Sequence, residues 1–410
     1  MRILIVTAGS RGDVAPYTGL GRRLSDAGHQ VAVAAHASFA GLLADCGLEH
    51  RPVPGDPQGL VREVSRATSR AETQAALRAY TDGLADGVAE AAAGGADVVL
   101  TAFGPAPLSR VAGQALGVPV VGTYLAPSFA TREFALPNAR NADDPGPEGR
   151  LAAGRDVLRR AEGIFADAVT RLRARLGLPA DPPTAAAGIR PAFHGYSPLV
   201  LPRPADWPSW ARVAGYWWPA RPDGWQPPAD LVDFLRAGPP PVFIGFGSMA
   251  VGEGERLSGL VASAVERAGV RAVVQAGWAE LDARSGDVLT IGDVPHDWLF
   301  PRTAAVVHHA GAGTTAAGLR AGVPAVAVPV MADQPFWAAR LHDLGVAPRP
   351  VPFQSLTAEA LGDAITACLT DPTHQHRATT LARGLATEDG TAPLLAHLGS
   401  LLGDPSAKPR

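Results

Sequence analysis

With 410 residues, a formal net charge of −3, and 47% apolar against 18% charged residues, the chain is too long for one hydrophobic core and has globular rather than disordered composition, so two domains are expected. The near-neutral charge offers no footprint for nucleic acid or an anionic membrane, and no apolar run approaches a membrane span. Lys408 is the sole lysine and sits in the polar C-terminal tail, which argues against Schiff-base enzymes and Walker-type phosphate loops, both of which need a lysine inside a folded site.

From the N-terminus, Arg2–Val6 reads as a buried strand, its apolar part too short for a signal-peptide core. Residues 30–34, 97–100 and 118–122 read as further buried strands, continuous rather than alternating in polarity. Helical patterns lie at 16–27, 60–93 and 105–116, an alternation that predicts a parallel sheet with helices on both faces. Proline and glycine punctuate 138–148, and another helical stretch runs up to Leu176. Residues 219–228 hold four prolines beside Gly224 and Trp225, a linker signature; Trp217 and Trp218 just before it are expected to pack at a hinge. The pattern then restarts, with strands at 242–245, 271–275, 288–291, 304–308 and 324–328. Residues 393–402 are apolar enough to pack as a closing helix. The expected fold is α/β, two Rossmann-like doubly wound domains facing across a cleft. Residues 1–216 form the acceptor-binding domain, 217–228 the linker and 229–385 the donor-binding domain. Residues 386–410 form a helix and tail packing back towards the N-terminal domain.

Ligands of such sheets bind beyond the carboxyl ends of the strands. No Asp-x-Asp triplet occurs, so no compact carboxylate pair is on offer for a divalent cation; helix ends, histidine and arginine would have to meet any phosphate. Cys46 and Cys368 match no metal or redox spacing and read as buried thiols of a cytoplasmic protein.

The strongest motif is His308-His309-Ala310-Gly311-Ala312-Gly313-Thr314-Thr315, between a strand and a helix. Its glycines let backbone approach a ligand, its helix start favours an anion, and His309 can donate to a phosphate oxygen, more strongly if protonated. Gly311-x-Gly313-x-x-Ala316 with Asp333 about twenty residues on also fits a loose dinucleotide fingerprint, and a plain tight turn is a third reading. Asp333 and Gln334, beyond a strand's carboxyl end, can hydrogen-bond vicinal hydroxyls of one sugar, or Asp333 is only a helix cap. In Gly9-Ser10-Arg11-Gly12-Asp13, after the first strand, Asp13 can take a proton from a hydroxyl while Ser10, Arg11 and Gly12 approach a diphosphate; capping by Asp13 is the alternative. Gly247 and Ser248, in a second strand-then-glycine turn, can offer donors to a phosphate.

Taken in this order, Gly9–Asp13, Ile244–Met249, Val294-Pro295-His296-Asp297-Trp298, His308–Thr315 and Asp333–Trp337 resemble the inverting glycosyltransferases of the GT-B fold, nearest the sterol glucosyltransferases and the antibiotic glycosyltransferases. The resemblance implies that His309, Gly311, Gly313, Thr314 and Ser248 meet the donor diphosphate. It implies that Val294 and His296 line the nucleobase, that Asp333 and Gln334 hold the transferred sugar, and that Asp13 is the general base. Many relatives instead carry histidine near the base position with a separate aspartate as partner. Trp298 reads as core. Beyond a nucleotide-sugar co-substrate, UDP- or dTDP-linked, no cofactor or metal is expected.

The acceptor is expected to be a lipophilic small molecule met by Phe103, Tyr124, Phe129 and Phe134 after the strands of the N-terminal half. Rival readings are an NAD(P)-dependent oxidoreductase, a sugar-nucleotide epimerase of the same architecture, and a non-catalytic activator of another transferase.

Overall fold

The computed structural model describes residues 1–139, 144–180, 189–249, 252–283 and 286–403; Lys408 lies outside them. The chain divides into two compact units, one formed by Met1–Asp223 together with the segment from Asp389 onward, the other by Gly224–Glu388. No helix among the described residues is long and apolar enough to cross a membrane.

The first unit carries β1 (Arg2–Val6), β2 (Gln30–His36), β3 (Glu49–Val53), β4 (Val98–Thr101), β5 (Val120–Tyr124), β6 (Ala192–His194) and β7 (Ala211–Val213). They form one parallel sheet in the order β3-β2-β1-β4-β5-β6-β7. Both faces are covered, which is why these strands read as continuous apolar runs. Ile3 and Ile5 of β1 pack with Val14, Tyr17 and Leu20 on one face. Leu4 and Val6 pack with Leu84, Val88 and Leu108 on the other.

The second unit carries β8 (Val242–Gly245), β9 (Ala272–Gln275), β10 (Val288–Ile291), β11 (Ala305–His308) and β12 (Ala325–Ala327), all parallel, in the order β10-β9-β8-β11-β12. Val242 and Ile244 pack against Leu257 and Val261 of the Gly254–Ala268 helix and against Leu361 and Ile365 of the Ala358–Thr370 helix.

Several elements depart from the sequence reading. β3, Glu-His-Arg-Pro-Val, is polar and holds Pro52; it lies at the sheet edge, where a missing N–H is tolerated. The first helix starts at Arg11 rather than at Pro16, because Ser10 and Asp13 cap it one and a half turns earlier. The 60–93 pattern is two helices, Pro57–Arg66 and Arg70–Ala93, the second capped by Ser69, whose Oγ accepts from the Glu72 N–H at 3.2 Å. The closing helix, Ala392–Gly403, buries Leu394 and Leu398 in the first unit's core. Trp217 is buried in that same core, its indole N–H donating at 2.9 Å to the carbonyl of Gly390, next to the point where the chain re-enters this unit. Cys46 and Cys368 are buried free thiols, with burial pushing Cys368 up to about 12.

Candidate active site

In the first unit the chain leaves β1 at Val6 and turns through Gly9, at φ +128°, into the Arg11–Asp26 helix. Ser10 is the N-cap residue. Asp13 Oδ2 accepts from the Ser10 backbone N–H at 2.7 Å and from Ser10 Oγ at 3.1 Å. A Cβ on Gly9 would stand 2.3 Å from Asp13 Oδ2. Only glycine therefore leaves room for the carboxylate and adopts this backbone conformation freely. The capping alternative is thus seen, and it supplies an orienting partner for the base candidate: Ser10 holds the carboxylate that remains half-exposed. Arg11 and Gly12 are exposed on the first turn.

Around Asp13 lie groups that the sequence did not flag. Tyr17, one turn on, is buried and donates its hydroxyl to the Thr123 carbonyl; burial, with Asp13 adding to it, lifts its pKa far above the usual phenol range. Tyr80, half-buried on the Arg70–Ala93 helix, places its hydroxyl 2.9 Å from His36 Nε2 at the end of β2. Burial raises the Tyr80 pKa, and the Asp13 and Asp56 carboxylates raise it further. A strand-end histidine at the carboxyl edge of the sheet was the one signal of this group.

Three of the acceptor candidates come together. Phe103 is 41% exposed and meets Tyr124 edge-on at 5.7 Å. Tyr124 is buried and also contacts Phe129, at 6.1 Å. Phe129 is half-buried, with Trp207, Trp210 and His194 edge-on to it. His194 is fully buried in this aromatic box, and burial pushes it down to about 4. Phe103 presents the exposed face while Tyr124 supports it from below. Phe134 is half-buried.

In the second unit β11 ends at His308 and the Ala312–Ala321 helix begins with Gly311 as N-cap. The His309 imidazole lies between two glycines. A Cβ on Gly311 would stand 2.5 Å from its Nε2, and one on Gly247 would stand 2.8 Å from its Cε1. His309 is buried, and among the described residues its Nδ1 has no hydrogen-bond partner. Burial pushes its pKa down to about 4, so the ring is neutral at pH 7 and the extra strength a protonated imidazole would lend is not available. His308 is also buried and neutral, pushed down to about 3. Its Nδ1 accepts from the Ala310 N–H at 3.0 Å and so braces the turn, where Ala310 has φ +61°. Gly313 is exposed and Thr314 half-buried on the first helical turn, whose N–H groups have no intrahelical acceptor and favour an anion.

Gly247, at φ +58°, starts the turn after β8, and its carbonyl accepts from the Trp278 N–H at 2.9 Å. Ser248 is half-buried beside it. Asp333 occupies the N-cap position of the Gln334–Asp343 helix without capping it. Its Oδ2 instead accepts from the Trp337 indole at 2.9 Å, and burial raises its pKa. Gln334 is buried, and its Oε1 accepts from the Val330 and Met331 N–H groups at 2.8 and 3.1 Å. Its carbonyl end is thereby committed to the loop. Val294 is buried, and His296 stacks on Phe300 with ring centroids 4.2 Å apart. Trp298 is not core: it is half-buried, 5.6 Å from Trp225 and beneath the Arg302 guanidinium at 4.5 Å. Among the described residues no three His, Cys, Asp or Glu side chains gather where they could hold a metal ion.

Residues 3–135 match the glycosyltransferase family 28 N-terminal domain, and residues 270–397 match the erythromycin biosynthesis protein CIII-like C-terminal domain. The chain is 37% identical to O-mycaminosyltylonolide 6-deoxyallosyltransferase of Streptomyces fradiae, over 95% of each chain. It is 33% identical to the sterol 3-beta-glucosyltransferase UGT80A2 of Arabidopsis thaliana, covering 100% of this chain and 68% of that one. Among solved structures it resembles the glycosyltransferase VinC in complex with dTDP, with a TM-score of 0.69 at 22% identity over 98% of this chain and 99% of that one.

Proposed function

Since this chain belongs to the glycosyltransferase family that joins a family 28 N-terminal domain to an erythromycin-CIII-like C-terminal domain, and has the two parallel-sheet α/β units of the GT-B fold, we propose that it moves a hexose or deoxyhexose from a UDP- or dTDP-linked donor to a hydroxyl of a lipophilic small molecule, inverting the anomeric centre. The family sets aside the oxidoreductase alternative for the glycine motif.

The observation that carries the reading is the His309 ring, buried between Gly247 and Gly311 with an unpartnered nitrogen at a helix N-terminus. A buried polar atom without a partner costs free energy unless a ligand completes it. A diphosphate oxygen fits: the imidazole and the helix N–H groups supply donors where charge grows on the leaving group. Asp333 and the Gln334 amino group would hold the sugar. Asp13 would take the proton of the acceptor hydroxyl as its oxygen bonds to the anomeric carbon and the bond from that carbon to the diphosphate oxygen breaks. The electron pair leaves with the nucleoside diphosphate, through an oxocarbenium-like transition state. One displacement gives inversion.

Antibiotic-type acceptors and dTDP donors are supported by the Streptomyces relative and the VinC complex, and sterol-type acceptors by the plant relative. The exposed Phe103 ring suits either. The test is transfer from UDP-glucose and dTDP-glucose to cholesterol and to O-mycaminosyltylonolide, with and without EDTA. Product that persists in EDTA and falls about 10²- to 10³-fold in His309→Ala supports the reading. Activity that vanishes with chelator and returns with magnesium defeats it.

A further inference from the structure

The strands β1 and β2 are neighbours in register, Val6 beside Ala34, and the Thr7 N–H continues the ladder to the Ala34 carbonyl at 3.0 Å. The turn that leads from β1 into the helix carrying Asp13 and the strand end that carries His36 therefore emerge next to each other at the carboxyl edge of the sheet. His36 is buried there and kept neutral by desolvation; the carbonyls of Val53 and Pro54 and the Asp56 carboxylate act in the opposite direction. His36 Nε2 and the Tyr80 hydroxyl are 2.9 Å apart; in the neutral tautomer that carries its proton on Nδ1, Nε2 accepts from the phenol.

The pair is packed from behind by Gly55. A Cβ there would stand 3.2 Å from both the His36 ring and the Tyr80 ring, and φ at Gly55 is +113°. Tyr80 is nonetheless only half-buried. Its hydroxyl is held by His36 and its ring is packed by Gly55.

We propose that Tyr80 is a specificity-determining residue of the acceptor site, its phenol oxygen, anchored by His36, accepting a hydrogen bond from the acceptor beside the hydroxyl that Asp13 deprotonates. The inference rests on the reading of Asp13 as the base. His36 is a positioning residue: it acts only through Tyr80. An anchored phenol loses little rotamer freedom on binding, so one hydrogen bond of about 1.4 kcal/mol appears as about tenfold in affinity.

The experiment measures steady-state kinetics of Tyr80→Phe, His36→Phe and Asp13→Asn with UDP-glucose and dTDP-glucose as donors and cholesterol and O-mycaminosyltylonolide as acceptor probes. Tyr80→Phe is expected to raise the acceptor KM about tenfold and leave the donor KM within twofold. His36→Phe should move the same parameter in the same direction, and thermal melts should report that both variants fold. An acceptor KM within twofold of native in Tyr80→Phe overturns the inference while the base assignment stands. Full turnover in Asp13→Asn, or no transfer to either probe by the native enzyme, sinks the underlying reading and this inference with it.

Discussion

Replacing Gly311 with alanine tests the cradle of His309 most directly. The new Cβ would stand 2.5 Å from Nε2, against 3.4 Å for ordinary contact, so the ring must retreat by about 0.9 Å. It cannot retreat freely. Gly247 backs the other face so closely that a Cβ there would come within 2.8 Å of Cε1. A displacement of about 1 Å in a catalytic group costs about 10²-fold, and that is the expected loss in kcat. Stability should change by only about 1 kcal/mol, because φ −64° and ψ 146° at Gly311 suit alanine and the loss is that of a helix-cap preference. Gly259→Ala, inside the Gly254–Ala268 helix, is the control: its Cβ would meet nothing within 4 Å, and alanine within a helix is favoured by about 0.5–1 kcal/mol. The assay is the initial rate of nucleoside diphosphate release from dTDP-glucose and UDP-glucose with an acceptor probe, alongside thermal melts. A Gly311→Ala enzyme that melts near native and keeps kcat within threefold would refute the reasoning.

Three further outcomes follow from the same geometry. Gly9→Ala drives a Cβ to 2.3 Å from Asp13 Oδ2 at φ +128°. It should cost about 1–3 kcal/mol in thermal stability and up to the about 10²- to 10⁴-fold in kcat that a lost base costs; native kinetics would contradict the placement of Asp13. Trp337→Phe removes the indole donor to Asp333, which lifts an already raised carboxyl pKa. The donor KM should increase several-fold, and its acid limb should move to higher pH, as a pH series of donor KM would show.

His194, His308 and His309 are pushed down to about 4, 3 and 4 by burial. The unfolded chain binds their protons below about pH 6.5 and the native protein only near those lower values. Their stabilising contribution is therefore complete above about pH 6.5 and is lost progressively towards pH 3–4, at roughly 3–5 kcal/mol each. The melting temperature should therefore fall as the pH is lowered below about 6.5, and one that stays constant from pH 7 to 4.5 would contradict this.

The parallel sheets were legible because both faces are covered: β1, β8 and β10 read directly as apolar runs with the boundaries later seen. β6 and β7 were not, since three residues each carry no periodicity, and β3 hides its pairing behind Arg51 and Pro52. In the site, the glycine–histidine spacing marks the helix start, but no spacing discloses that His309 is buried enough to be neutral. The pairing of Asp333 with Trp337, four residues on, needed the helix to be placed first. Tyr80 was invisible because its partner is 44 residues away on another strand end.

The closing helix has a consequence for synthesis. The polypeptide leaves the first unit after Asp223 and rejoins it at Asp389, so the second unit is an insertion within the first. On the ribosome, residues 224–388 can complete their own core while the first unit still lacks Leu394 and Leu398. The earlier-made half thus waits for the last helix, with the apolar slot for Leu394 and Leu398 open to chaperones in the interval.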